Sequence, residues 1–131
     1  MRERYCDKLG LYDLISSLNR NHITMVEIGS FAGESAEIFL KTGKVDRIIC
    51  IDPWMTIAGN DGNAYSNMDV IERKFDVHMN QYGEQCIKFR GTLDTFISTN
   101  LYTLVKPDFV YIDALHTYDA CKSDINNTLK F

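Results

Sequence analysis

The chain has 131 residues and a mass of 15.1 kDa, enough for one domain with a buried core. Its hydrophobic content of 45% and charged content of 24% are those of an ordinary soluble globular chain. A net charge of -4 and a pI near 5.3 exclude the basic footprint of a nucleic-acid or membrane-surface binder, and no apolar run reaches bilayer length.

Cys6, Cys50, Cys86 and Cys121 form no Cys-x-x-Cys pair. This speaks against structural zinc and a disulfide framework, and for reduced thiols in a cytoplasmic protein. The N-terminus Met1-Arg2-Glu3-Arg4 leads into no signal-like segment.

In chain order, Leu11, Leu14, Ile15 and Leu18 recur at helical spacing and predict a helix packed on a sheet. Asn19 to His22 turn it into the first strand, with His22 an ordinary surface residue. Ile23, Met25, Val26 and Ile28 then form a buried strand that breaks at Gly29 and Gly33. A helix follows, with Ala32, Ala36, Phe39 and Leu40 on one face. Glycines let the backbone approach a ligand, and a helix start offers unpaired N–H groups. Glu27, near the strand end, suits a cationic or hydroxylated ligand. A dinucleotide fingerprint would carry a middle glycine to make room for a pyrophosphate, and Phe31 stands there instead. That argues against a dehydrogenase-type nucleotide binder.

Gly43 is the next helix stop, and Asp46 to Ile51 predict a second strand ending in Asp52-Pro53-Trp54. Asp52 lies about 20 residues past the glycine turn, where an acid holds ribose hydroxyls in βαβ units. The other reading is an Asx turn before Pro53. Met55 to Asn63 form a turn-rich loop, a lid near the site. Its Asn60-Asp61-Gly62-Asn63 run starts like a calcium loop but lacks the later ligands, so no metal is expected there.

Met68, Ile71, Phe75, Met79 and Tyr82 trace the core face of a long helix stopped by Gly83, with His78 an exposed or half-buried neighbour. Gln85 to Arg90 alternate as a third, edge strand. Gly91 to Asp94 turn into a short helix through Phe96, Ile97 and Leu101, for which Thr92 is a natural N-cap. After Lys106-Pro107, Asp108 to Asp113 predict a fourth strand buried on both faces. Tyr118, Cys121, Ile125 and Leu129 share one face of the last helix. The pattern is α/β, a doubly wound, mainly parallel sheet whose ligand crevice lies at the strand carboxyl ends. Gly29, Asp52 and Asp113 all fall on such ends.

Two stretches carry a resemblance. Glu27-Ile28-Gly29-Ser30-Phe31-Ala32-Gly33-Glu34-Ser35 resembles the first motif of class I S-adenosylmethionine-dependent methyltransferases, in the form used by the small O-methyltransferase-like branch. Tyr111-Ile112-Asp113-Ala114-Leu115-His116-Thr117-Tyr118 resembles the segment Tyr-Ile-Asp-x-x-His-x-Tyr of the same branch. The resemblance implies a Rossmann-like sheet of order 3-2-1-4, S-adenosylmethionine as methyl donor and S-adenosylhomocysteine as product. It implies that Glu27 acts on the methionine part, while Gly29, Ser30, Phe31, Gly33 and Ser35 belong to the cofactor turn. Asp52 would hold the ribose, and Thr92 and Leu93 would flank the adenine. Trp54 either walls the adenosine pocket or covers core.

Asp113 and His116 would stand near the transferred methyl. His116 is the general-base candidate, since its ordinary pKa is about 6.5; alternatively it caps the last helix or bonds to Asp113. Some relatives bind magnesium through the acid matching Asp113 plus a later acid pair that has no counterpart here, so a divalent metal is not expected. The expected reaction is O-methyl transfer to a small-molecule hydroxyl. The lack of an Asn-Pro-Pro-Tyr-like motif speaks against amino-group methylation of nucleic-acid bases.

The resemblance covers nearly the whole chain but only the first part of the family's usual domain. Residues 1–131 therefore read as a single domain, incomplete after its fourth strand, with a homo-oligomer expected to cover that strand's edge. The alternative is a catalytically silent module that binds the cofactor or a partner.

Overall fold

The computed structural model describes residues 2–55 and 67–131. The loop expected at Met55 to Asn63, with its calcium-like run, lies outside the described residues except for Met55. Helix α1 spans Arg2–Ser17 and leads into strand β1, Ile23–Ile28. Helix α2 (Glu34–Lys41) and strand β2 (Val45–Asp52) follow. Helix α3 is Met68–Met79 and strand β3 is Cys86–Arg90. Two short helices, α4 (Leu93–Ser98) and α5 (Tyr102–Val105), precede strand β4 (Phe109–Ile112) and helix α6 (Tyr118–Thr128).

All four strands run parallel in the order β3-β2-β1-β4. Each crossover carries a helix, so the sheet is covered on both faces. On one face Ile15 of α1, Phe39 and Leu40 of α2, and Phe75 and Met79 of α3 pack on Met25, Ile48 and Cys50. On the other, Leu93 and Phe96 of α4 with Tyr102 and Val105 of α5 pack on Val26, Ile28, Ile49 and Ile51. Each such side chain contributes roughly 1.5–3 kcal/mol when fully buried. Strand order reverses between β1 and β4, and the carboxyl ends at that reversal are where open α/β sheets hold ligands.

Three expectations are corrected. The long helix ends at Met79 and tightens into a 3-10 segment, Asn80–Gln85, because Gly83 at φ 53 and ψ -128 cannot continue it. Tyr82 therefore sits in that segment. Phe109–Ile112 are each half-buried rather than enclosed on both faces, since among the described residues β4 is an outer strand paired only with β1. The expected packing face of α6 is largely open, with Tyr118 76%, Ile125 52% and Leu129 78% exposed. That helix docks instead through buried Asn127, whose amide donates to Asp94 Oδ1 at 2.7 Å and whose Oδ1 accepts from Lys130 Nζ at 3.0 Å. Among the described residues no helix is long and apolar enough to cross a membrane.

Candidate functional site

The strand ends are laced together at the switch point. Asp113 N–H donates to Ile28 O at 2.8 Å, Gly29 N–H to Ile51 O at 2.8 Å, and Gly91 N–H to Asp52 O at 3.0 Å. Three segments that the sequence singled out, around Gly29, Asp52 and Asp113, thus meet on one line. The glycine at position 29 is dictated by this lacing. A Cβ there would stand 2.2 Å from the Asp113 carbonyl oxygen, and the backbone φ is +91°. Close approach is the reason for this glycine, and the partner in the structure is the backbone of Asp113 and Ala114, just past the end of β4.

The turn after β1 is held from several sides. Phe31 adopts φ 48, a left-handed conformation that costs a non-glycine residue on the order of 1–3 kcal/mol unless its surroundings enforce it. They do. Phe31 N–H donates to Asp52 Oδ2 at 3.0 Å, and Phe31 O accepts from the Trp54 indole N–H at 2.8 Å. Gly33 N–H donates to Ser30 O at 2.8 Å, and His78 Nδ1 lies 3.2 Å from Ala32 O. Gly33 packs on α3, where an added Cβ would meet Met79 Cγ at 2.9 Å.

Glu27 lies under this turn, fully buried. The Ser35 hydroxyl, in the first turn of α2, donates to its Oε1, and Cys50 Sγ donates to Oε2 at 3.7 Å. Burial pushes the Glu27 carboxyl up to about 7; the Asp113 charge adds to the rise, and Ser35, Ser30 and Cys50 oppose it. Ser30 is 2% exposed, and its hydroxyl lies near Glu27 without reaching hydrogen-bond geometry. It is the buried side-chain polar atom without a partner among the described residues.

The carboxylate of Asp52, 7% exposed, serves both neighbours in the crevice wall, accepting from Trp54 N–H at 2.7 Å through Oδ1 and from Phe31 N–H through Oδ2. The Asx turn is therefore formed, and each oxygen keeps one lone pair for another donor. Trp54 is 1% exposed, with its ring 4.9 Å from that of Phe75 and Lys88 Nζ 4.9 Å over its face. Of its two readings, the structure places it in the core as a brace for the turn. Thr92 is the N-cap of α4, its hydroxyl accepting from Thr95 N–H at 3.2 Å. The Leu93 side chain is buried in the second core cluster.

Asp113 and His116 form the open side. His116 Nε2 lies 2.9 Å from Asp113 Oδ1, with the two side chains 78% and 45% exposed. The bond to Asp113 is made, but the helix cap is Thr117, whose hydroxyl accepts from Ala120 N–H at 3.3 Å. Because the carboxylate only accepts, a neutral His116 ring bonded to it carries its proton on Nε2 and keeps an Nδ1 lone pair for another donor. Among the described residues no three of His, Cys, Asp and Glu gather as a metal site.

Sequence reasoning missed His78 and Glu37. Helical periodicity makes His78 an exposed or half-buried neighbour on α3; it is half-buried, and it also reaches the glycine turn and lies 2.6 Å from Glu37 of α2. Nothing in the sequence ties position 78 to position 32, since the contact exists only once α3 crosses α2.

The model of the methyltransferase domain family matches residues 26–131. Protein R132 of Acanthamoeba polyphaga mimivirus, itself uncharacterized, is 33% identical over 122 residues, covering 92% of this chain and 52% of its own length. The chain thus spans about half the length of that relative. A SAM-dependent methyltransferase from Agrobacterium tumefaciens superposes with a TM-score of 0.56 at 10% identity, covering 86% of this chain and 32% of that one, and so shows the shared fold. A glycine turn at the strand reversal, the parallel order β3-β2-β1-β4 and the match over residues 26–131 lead to one assignment: the chain belongs to the class I S-adenosylmethionine-dependent methyltransferase family.

Proposed function

We propose that the domain binds S-adenosylmethionine in the crevice between the ends of β1 and β4 and serves methyl transfer to a hydroxyl of a small molecule. The observation that carries this reading is the pair under the turn. Ser30 offers a buried hydroxyl beside Glu27 that completes no hydrogen bond among the described residues. Beside it, the Glu27 carboxyl is held up at about 7 by burial. A ligand ammonium with polar neighbours would relieve both.

On this reading Glu27, Ser30 and Ser35 serve the methionine end of the cofactor, across the turn formed by Gly29, Phe31 and Gly33. The remaining lone pairs of Asp52 accept the ribose hydroxyls. Trp54 acts by bracing Phe31, and Thr92 and Leu93 flank the adenine through their backbone. The bound cofactor supplies an electrophilic methyl group on a sulfonium. Asp113 holds the His116 ring so that Nδ1 takes the acceptor's hydroxyl proton, and the remaining task is alignment. Oxygen as the accepting atom follows from the resemblance to the O-methyltransferase branch.

The test is a calorimetric titration with S-adenosylhomocysteine. Wild type is expected to bind with a dissociation constant on the order of micromolar, about -8 kcal/mol, and Asp52→Asn to bind far more weakly. A folded wild type that takes up no heat-detectable ligand overturns the reading.

We infer further that a second copy covers the outer edge of β4. In support, Leu104, Tyr118, Ile125 and Leu129 are exposed near a half-buried apolar strand with an unpaired edge among the described residues. Light scattering across a concentration series should give at least a dimer, and a monomer at high concentration would count against it.

A further inference from the structure

We propose that His78 is a positioning residue that fixes the cofactor turn by holding the Ala32 carbonyl from α3; the inference rests on the cofactor reading given above. Ala32 lies between Phe31 at φ 48 and Gly33 at φ 84, so the turn passes twice through the left-handed region within three residues. Such a backbone persists only where its neighbours over-determine it. Asp52 and Trp54 pin Phe31 from the β2 side, and Ser30 O pins the Gly33 amide. His78 supplies the hydrogen bond that reaches the turn from α3, at 3.2 Å from Ala32 O.

The other ring nitrogen ties the same histidine to α2. Nε2 lies 2.6 Å from Glu37 Oε2, and the Glu37 carboxylate also accepts from Tyr82 OH at 2.9 Å and from Lys41 Nζ at 3.1 Å. Burial pushes the Glu37 carboxyl up, but the bonds from Lys41, Tyr82 and His78 outweigh it and hold it below the usual carboxylate range. Both ring nitrogens therefore face acceptors. Only a ring with two protons makes both bonds at once, and a neutral ring must release one of them. Glu34, Arg73 and Lys74 border the same groove and complete its charged surroundings. The His78 side chain is 30% exposed, so it is reachable by solvent and yet anchored at both nitrogens.

Two substitutions separate the two bonds. In His78→Asn the amide nitrogen falls near the place of Nδ1 and can serve Ala32 O, but it is too short for Glu37. In His78→Gln the amide reaches toward Glu37 and leaves the carbonyl. Tyr82→Phe removes another bond to Glu37 without touching the turn and serves as the structural control. Affinity for S-adenosylhomocysteine, thermal midpoint and amide exchange at Gly33 are measured on all four proteins.

The inference expects His78→Gln to lose about tenfold in affinity, the worth of one hydrogen bond, and to exchange the Gly33 amide faster. His78→Asn should stay within about twofold of wild type in affinity, and Tyr82→Phe should lose thermal stability alone. Wild-type-like affinity and exchange in His78→Gln overturn the inference, as does a loss of affinity in all three variants that tracks their melting temperatures. If wild type itself does not bind, the cofactor reading fails separately. Amide exchange at Gly33 in the Asn and Gln variants then still decides whether His78 holds the turn.

Discussion

The two sides of the crevice are built differently. On the β1 side, Glu27, Ser30 and Asp52 are buried, and Phe31 is bonded at both its amide and its carbonyl. On the β4 side, Asp113 and His116 stand 45% and 78% exposed and hold chiefly each other. The first side is a buried socket in which Glu27, Phe31 and Asp52 are hydrogen-bonded and the Ser30 hydroxyl is left over. The second is a pair of side chains facing solvent. On the proposed reading, the socket suits the invariant cofactor and the open pair suits acceptors that differ. On that reading, preorganisation is concentrated where the cofactor has to be held in one geometry.

The sharpest break in this contrast is Gly29→Ala. A Cβ 2.2 Å from the Asp113 carbonyl oxygen has only backbone to push against, so the two sides must separate. We expect a loss of roughly 4 kcal/mol or more in urea denaturation, or failure to fold; an unchanged midpoint would show that the lacing is slack.

Glu27→Gln comes next and should move stability upward. The Glu27 carboxyl titrates near 7 in the folded chain and near 4.5 in the unfolded one. Between those values the folded state holds the proton that the unfolded state has released. Stability linked to this group is therefore complete below pH 4.5 and is lost as pH rises through 7. The glutamine variant should gain about 3 kcal/mol over wild type at pH 8 and nothing near pH 4, while losing cofactor affinity. A gain that does not depend on pH would refute the assignment of cost to this carboxyl.

Asp52→Ala removes the acceptor for two backbone N–H groups, Phe31 and Trp54, and should cost about 2 kcal/mol in thermal or chemical unfolding. His116→Ala should be the mildest, within about 0.5 kcal/mol of wild type in stability, with unaltered S-adenosylhomocysteine affinity. A large loss of either would mean that the open side is part of the socket.

Much of this architecture was legible because strand ends announce themselves. Apolar runs closed by Gly29, Asp52 and Asp113 pointed to parallel strands whose ends meet on one line, while their order came from the family resemblance. What stayed hidden depends on crossings. His78 meets Ala32 across 46 positions of sequence, and no local pattern encodes that contact. The α6 stripe misled for the opposite reason: Tyr118, Ile125 and Leu129 obey helical periodicity, but α6 packs on α4 and on an outer strand, leaving little sheet beneath them. The apolar run of β4 predicts a strand; the number of neighbours it has is a property of the sheet. Trp54 was ambiguous because a loop tryptophan wall and a core brace have the same sequence signature.

The elevated Glu27 carboxyl carries one more consequence. Near neutral pH a sizeable fraction of the molecules holds a proton on that side chain. On the proposed reading, an arriving ammonium favours the ionised form, so uptake of the cofactor expels a proton into solution. Association would then be a proton-release reaction, and its measured heat would vary with the ionisation enthalpy of the buffer chosen.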